Sequence, residues 1–253
     1  MTRLTPRLLF VFALLANFAF AESAPVAELR KKAESGDAVA QCTLGYMYEY
    51  GKFVQQDYRE ASEWYRKAAE QGNPVGQCNL GICYANGRGL TKDAVEAVRW
   101  FRMAAEQGYA LGQIRLGVMY NMGAGVPKDI TEAFRWYRKA AAQGNADAQC
   151  FVAMSYEKGD GVPKDSAEAV RWYRLAAEQG LAHAQLNLGW MYNNGEGVPK
   201  DLVQAHVWYN IAGAAGNESA RTNLAIIEKE MTPEQKAEAM KLARELFEKL
   251  PKK

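Results

Sequence analysis

The sequence is poor in the residues from which catalytic and metal centres are built. Its 253 residues include two histidines, His183 and His206, and four cysteines. Neither histidine has a recurring Cys, Asp or Glu companion at metal-ligand spacing. There is no His-Glu-x-x-His, no Gly-x-Ser-x-Gly and no P-loop. The Gly-x-Gly pairs that do occur follow helical segments rather than strands, so they read as turn chemistry and not as phosphate cradles. With no nucleophile, base and orienting group in sight, catalysis is not expected, and neither a cofactor nor a metal is. Charge is scarce in the net: 31 Lys and Arg stand against 29 Asp and Glu.

No apolar stretch is long enough to span a bilayer. Leu8 to Phe20 is 13 residues long, where about 20 are needed. Arg3 and Arg7 precede it and Ala19-Phe20-Ala21 closes it. A basic start, a short apolar middle and a small-x-small end mark residues 1–21 as a secretory signal peptide. The expected mature chain starts at Glu22, is exported to the periplasm or secreted, and has no membrane span. Without Arg3 and Arg7 it carries 29 basic and 29 acidic residues. That balance favours neither nucleic acid nor an anionic membrane as partner.

What the sequence does have is a period. Gly36, Gly72, Gly108, Gly144, Gly180 and Gly216 are 36 residues apart each time. Counting from these glycines, offset 5 holds Gln41, Gln77, Gln113, Gln149 and Gln185. Offset 12 holds Tyr48, Tyr84, Tyr120, Tyr156 and Tyr192. Offset 21 holds Asp57, Asp93, Asp129, Asp165 and Asp201, and offset 28 holds Trp64, Trp100, Trp136, Trp172 and Trp208. Five uninterrupted repeats therefore fill 37–216, and a period this strict denotes stacked supersecondary units.

Each repeat reads as two helices. The boundary glycine suits a left-handed helix end. Helix A follows at offsets 2–14, and Asn73-Pro74 opens one copy with an N-cap and a proline at the first helical position. A Gly-x-Gly-Val-Pro-Lys-Asp loop stands intact at 123–129, 159–165 and 195–201. Its Asp caps helix B, expected at offsets 22–35. Small alanines at offsets 25, 32 and 33 let neighbouring helices approach, and the Trp-Tyr pair reads as packing. Residues 22–36 form an N-terminal capping helix. Residues 217–253 hold a half repeat and a polar C-terminal helix at 233–249, opened by the Thr232-Pro233-Glu234-Gln235 capping box.

Three strings carry a family resemblance. They are Ala184-Gln185-x-x-Leu188-Gly189-x-x-Tyr192, Gly195-x-Gly197-Val198-x-Lys200-Asp201, and Glu168-Ala169-x-x-Trp172-Tyr173-Arg174-x-Ala176-Ala177-Glu178-Gln179-Gly180. The sequence resembles the Sel-one-like repeat (SLR) family, relatives of tetratricopeptide repeats. The resemblance implies an all-α, right-handed solenoid of stacked antiparallel helix pairs, and a protein-interaction scaffold. It also has departures. Repeat one lacks the second loop glycine, with Phe53 in its place. Repeat four has Ala153 where the others have glycine. Repeat five ends Asn210-Ile-Ala-Gly-Ala-Ala.

On a helical wheel, offsets 4, 5, 8, 12 and 15 of helix A form the packed side, and offsets 3, 6, 10, 13 and 14 lie opposite. In tetratricopeptide-like stacks that opposite face lines a concave groove. Candidate partner-binding residues there are Tyr46, Glu49, Tyr50, Ile82, Asn86, Val118, Asn121, Met122, Met154, Glu157, Lys158, His183, Trp190, Asn193 and Asn194. The expected partner is a protein or extended peptide gripped by an apolar floor with polar ends, and the expected form is a monomer. The competing reading is that offsets 6 and 10 only pack adjacent A helices together.

Cys42, Cys78 and Cys150 share offset 6, where equivalent Cα atoms should stand about 9–10 Å apart, beyond the roughly 7 Å reach of a disulfide. A cysteine-rich subgroup of the resembled family carries disulfides, and some of its members are described as penicillin-binding or β-lactamase-like. Its Cys-x-x-Leu-Gly and Lys-Ala-Cys positions are Gln41, Gln77 and Ala69 here. The cysteines are therefore expected to be small buried side chains. Two alternatives to the scaffold remain: that β-lactamase-like activity, and a structural spacer in an envelope assembly.

Overall fold

The computed structural model describes residues 24–251. The expected signal peptide, 1–21, lies outside the described residues. Among these, all regular structure is α-helical, in thirteen helices and with no strand. The helices fall into two compact units, divided between Gln107 and Gly108.

The first unit holds α1 (Ala24–Glu34), α2 (Ala38–Tyr50), α3 (Tyr58–Glu70), α4 (Pro74–Asn86) and α5 (Ala94–Glu106). The second holds α6 (Ala110–Met122), α7 (Ile130–Ala141), α8 (Ala146–Lys158), α9 (Ser166–Glu178), α10 (Ala182–Asn194), α11 (Leu202–Ala214), α12 (Glu218–Ile227) and α13 (Pro233–Lys249). Within each unit, consecutive helices pack as a solenoid of A and B pairs.

The caps explain why the helices start where they do. Asp57 Oδ1 accepts the backbone N–H groups of Arg59 and Glu60, and Asp165 Oδ1 does the same for Ala167 and Glu168. Each bond satisfies an N–H that the helix itself leaves unpaired. Asn73 caps α4 with Pro74 at the first position, and Thr232 and Gln235 cap α13 reciprocally.

Two devices set the helix spacing. The first is a missing side chain on helix A. A Cβ on Gly117 would lie 2.6 Å from the Tyr137 ring, and one on Gly81 would lie 2.7 Å from the Phe101 ring. Glycine lets the aromatic ring of helix B press against the backbone of helix A. The second is a turn glycine. Gly197 is left-handed at φ 71°, and a Cβ there would stand 2.1–2.8 Å from the start of the preceding helix B, at 2.1 Å from the Ser166 carbonyl oxygen. Phe53 takes the same left-handed turn at φ 62° with its side chain 72% exposed, a conformation costing an L-residue about 1–2 kcal/mol.

Glutamine joins repeat to repeat. In the first unit, Gln71 Nε2 donates to Gln41 Oε1 at 2.7 Å and Gln107 Nε2 to Gln77 Oε1 at 2.8 Å. In the second, Gln143 donates to Gln113 and Gln179 to Gln149, both at 2.8 Å. The acceptor glutamines look backwards too: Gln41 Nε2 donates to the Ala33 carbonyl, Gln77 to Ala69 and Gln185 to Ala177. Those carbonyls lie in the last turns of their helices, where they also accept the backbone N–H groups of Gly36, Gly72 and Gly180. Arginine adds a parallel tie, with Arg30 donating to the Tyr48 hydroxyl and Arg66 to the Tyr84 hydroxyl, each at 2.9 Å, and Arg174 to that of Tyr192. Around these bonds, Ala61, Ala68, Ala69, Leu44 and Tyr65 are buried in the first unit, and Ala176, Ala177, Leu188 and Tyr209 in the second.

Candidate functional site

In the second unit, five expected partner-binding residues meet at one cleft of about 310 Å³. Val118, Asn121 and Met122 come from α6, and Met154 and Lys158 from α8, the next helix A. They meet because α6 and α8 occupy the same place in successive repeats and flank α7, whose Tyr137 and Ala133 also line the cleft. The floor is apolar and aromatic, with Phe151 stacked on Tyr137 at 4.8 Å between ring centroids and 18° between planes. Its ends are polar, with Asn121 on one helix and Lys158 and Asp160 on the other side. Met122 is 68% exposed and so offers apolar surface directly to solvent.

Phe151 and Tyr137 were not among the expected site residues. Tyr137 sits at a position that is aromatic in every repeat, so it reads as core. Phe151 had a signal: its repeat equivalents are Thr43, Asn79, Arg115 and Asn187. A lone aromatic where the other repeats are polar marks a local specialisation.

The other candidates do not line this cleft. On α10, Trp190 and Asn194 are exposed, His183 is exposed in the first turn and Asn193 is half-buried. Asn194 Nδ2 donates to the Trp190 carbonyl at 3.0 Å. In the first unit, Tyr46 and Tyr50 are exposed neighbours on α2, with ring centroids 4.6 Å apart. Lys52 Nζ donates to the Tyr46 hydroxyl at 2.9 Å. Ile82 is half-buried and Asn86 exposed on α4.

Two carboxylates behave differently from expectation. Glu49 is not a free groove residue; it is 8% exposed. The Tyr65 hydroxyl donates to its Oε2 at 2.8 Å, and Arg88 from the next repeat pairs with its Oε1 at 2.9 Å. Burial, then the nearby Glu49 charge, push the Tyr65 hydroxyl well above the usual phenol range. Glu157 is half-buried and accepts the Tyr173 hydroxyl at 2.5 Å. Both carboxylates turn toward helix B because its tyrosine hydroxyl needs an acceptor inside the stack.

Offset 6 is core in four repeats, where Cys42, Cys78, Ile114 and Cys150 are buried. All four cysteines are free and buried. Burial pushes the Cys42 thiol up to about 11 and, with Glu49 adding to it, that of Cys83 to about 12. Such thiols are protonated and unreactive at neutral pH. His206 is buried too, with Nε2 3.1 Å from Glu228 Oε1 on the turn after α12.

The comparisons with known proteins fit this geometry. The family described as "Sel1 repeat" matches five consecutive segments, 38–73, 74–109, 110–145, 146–181 and 182–217. A solved protective antigen of uropathogenic Escherichia coli, described as displaying an SLR fold, is similar over 87% of this chain at 38% identity and a TM-score of 0.75. This chain spans 47% of that antigen's length. A Sel1 repeat protein from Oxalobacter formigenes is 37% identical over 86% of both chains, with a TM-score of 0.71. A Klebsiella pneumoniae protein at 24% identity and a TM-score of 0.53 shares the fold. No curated protein matches the sequence.

Proposed function

The chain belongs to the Sel1 repeat family, whose members are generally protein-interaction scaffolds rather than enzymes, and we propose that this one is an exported scaffold that grips a segment of a protein partner with its A helices. The observation that carries the reading is the α6–α8 cleft. It gathers Val118, Met122 and Met154 as apolar contacts and Asn121 and Lys158 as polar ones. Methionine suits such a surface because its unbranched, polarizable side chain adapts to partners of different shape. Taken by itself, the first unit exposes Tyr46 and Tyr50, and the second exposes Trp190 on α10, aromatic types enriched in binding hot spots. Glu49, held inside the stack, takes no part.

Export rests on the residues before the first helix: Arg3, Arg7, the Leu8–Phe20 run and Ala21. Its test is the intact mass of the protein recovered from the periplasm or medium. A mass starting at Glu22 supports export, and a full-length chain recovered from the cytoplasm refutes it.

The binding surface is tested with Val118→Ser and Met154→Ser together. Both side chains are half-buried, so circular dichroism must first confirm an unchanged helix content. Capture of the partner from envelope extracts should then fall at least tenfold. Undiminished capture by the folded variant would refute the cleft.

A further inference from the structure

The glutamine ladder stops one rung short. Four repeats end helix B with a glutamine whose amide N–H reaches the buried glutamine of the helix A before it, at 2.7–2.8 Å. In the fifth repeat that position is Ala215. Its backbone is the same, φ −77° and ψ 5°, against −79° and 2° at Gln71 and −85° and 5° at Gln179. Only the side chain is missing. The acceptor is kept: Gln185 is 1% exposed, its Nε2 donates to Ala177, and its Oε1 is buried with no partner among the described residues. A buried carbonyl left unpaired costs about 1–3 kcal/mol.

Gln185 and Ala215 line one cleft of about 450 Å³, closed on the far side by Phe247 and Leu250 from the end of α13. Its other walls include Ala182 and Ile211, and no charged side chain lines it. This volume is in the range of small-molecule sites, which are apolar with a few placed polar groups. Among the side chains that line it, Gln185 Oε1 is the one buried polar atom without a hydrogen-bond partner. An ionised ligand would lose its hydration there without a counter-charge.

We propose that this cleft is a binding site for a small, neutral, mostly apolar molecule bearing a primary carboxamide. Its amide N–H donates to Gln185 Oε1 as the glutamine side chain does in the other repeats, and its apolar body lies against Ile211, Phe247 and Leu250. The site is separate from the α6–α8 cleft and stands whether or not that cleft binds a partner.

The test uses two probes of equal shape, 3-phenylpropanamide and 4-phenylbutan-2-one, in which a methyl replaces the NH2 group. Binding to the purified protein is followed by two-dimensional NMR. The amide should shift the resonances of Ile211, Phe247 and Leu250, and the ketone should bind about tenfold more weakly, the worth of one hydrogen bond to a buried acceptor. Ala215→Gln should abolish amide binding by supplying the missing rung. Phe247→Ala changes a half-exposed wall residue outside the ladder, and should weaken amide binding at least fivefold with the fold unchanged. Equal binding of amide and ketone, no binding of the amide up to its solubility, or amide binding unaffected by both variants would overturn the proposal.

Discussion

Ala215→Gln should stabilise the C-terminal part of the protein, although it adds a polar side chain beside an apolar cleft. The substitution gives Gln185 Oε1 the donor that Gln41, Gln77, Gln113 and Gln149 already have. Satisfying a buried acceptor recovers about 1–3 kcal/mol. Ordering a glutamine side chain costs up to about 1.5–2 kcal/mol, but Ala215 already has the backbone angles of the other rung residues, so no backbone cost is added. The net expectation is a gain of roughly 0.5–1 kcal/mol. Repeat stacks open locally, so the assay must be local as well. Hydrogen exchange of the α10 and α11 amides should slow by a factor of about two to five. Gln179→Ala is the mirror control and should speed exchange in α8 and α9. If Ala215→Gln leaves exchange unchanged or accelerates it, the ladder is not a stabilising element and Gln185 Oε1 is not in want of a donor.

Other expectations follow from the packing. Gly117→Ala should destabilise by about 1–3 kcal/mol through overpacking, since its Cβ would meet the Tyr137 ring at 2.6 Å; a urea titration checks it. Asp165→Ala removes the cap of α9 and should cost about 1 kcal/mol, whereas Asp165→Asn should retain most of that stability. The thiols impose a pH dependence. Burial raises Cys42 from 9.0 to about 11 and Cys83 from 9.0 to about 12. The folded state therefore keeps its thiol protons between pH 9 and 11 while the unfolded chain loses them. Stability is fully present below pH 9 and declines as pH rises through that window, as denaturant titrations at pH 8 and 10.5 should show.

The sequence predicted some levels of this structure better than others. Helix limits were legible because their signals are chemical and local. The repeated Asp caps helix B, Asn73-Pro74 opens α4, and the Thr232 capping box opens α13 at Pro233. The stacked-repeat fold followed from the 36-residue spacing and the family from the resemblance carried by the three repeated strings, and both were borne out. Side-chain direction was less legible. A helical wheel puts Glu49 opposite the packed side, but it ignores the Tyr65 hydroxyl and the Arg88 guanidinium that draw the carboxylate inward. Repetition also hid what mattered. The glutamines at offsets 5 and 35 could be counted, yet their bond across 30 residues, and its loss at Ala215, show only in the folded structure.

The central claim, that α6 and α8 hold a protein partner, is tested most directly by photo-cross-linking in the native envelope. p-Benzoylphenylalanine at Met122, exposed at the cleft, is compared with the same group at Leu175, exposed on α9. The account predicts a discrete cross-linked polypeptide from position 122 that is absent from position 175 and is lost when Val118→Ser and Met154→Ser are added. No adduct from position 122, the same adduct from both positions, or an adduct indifferent to those two substitutions would contradict it.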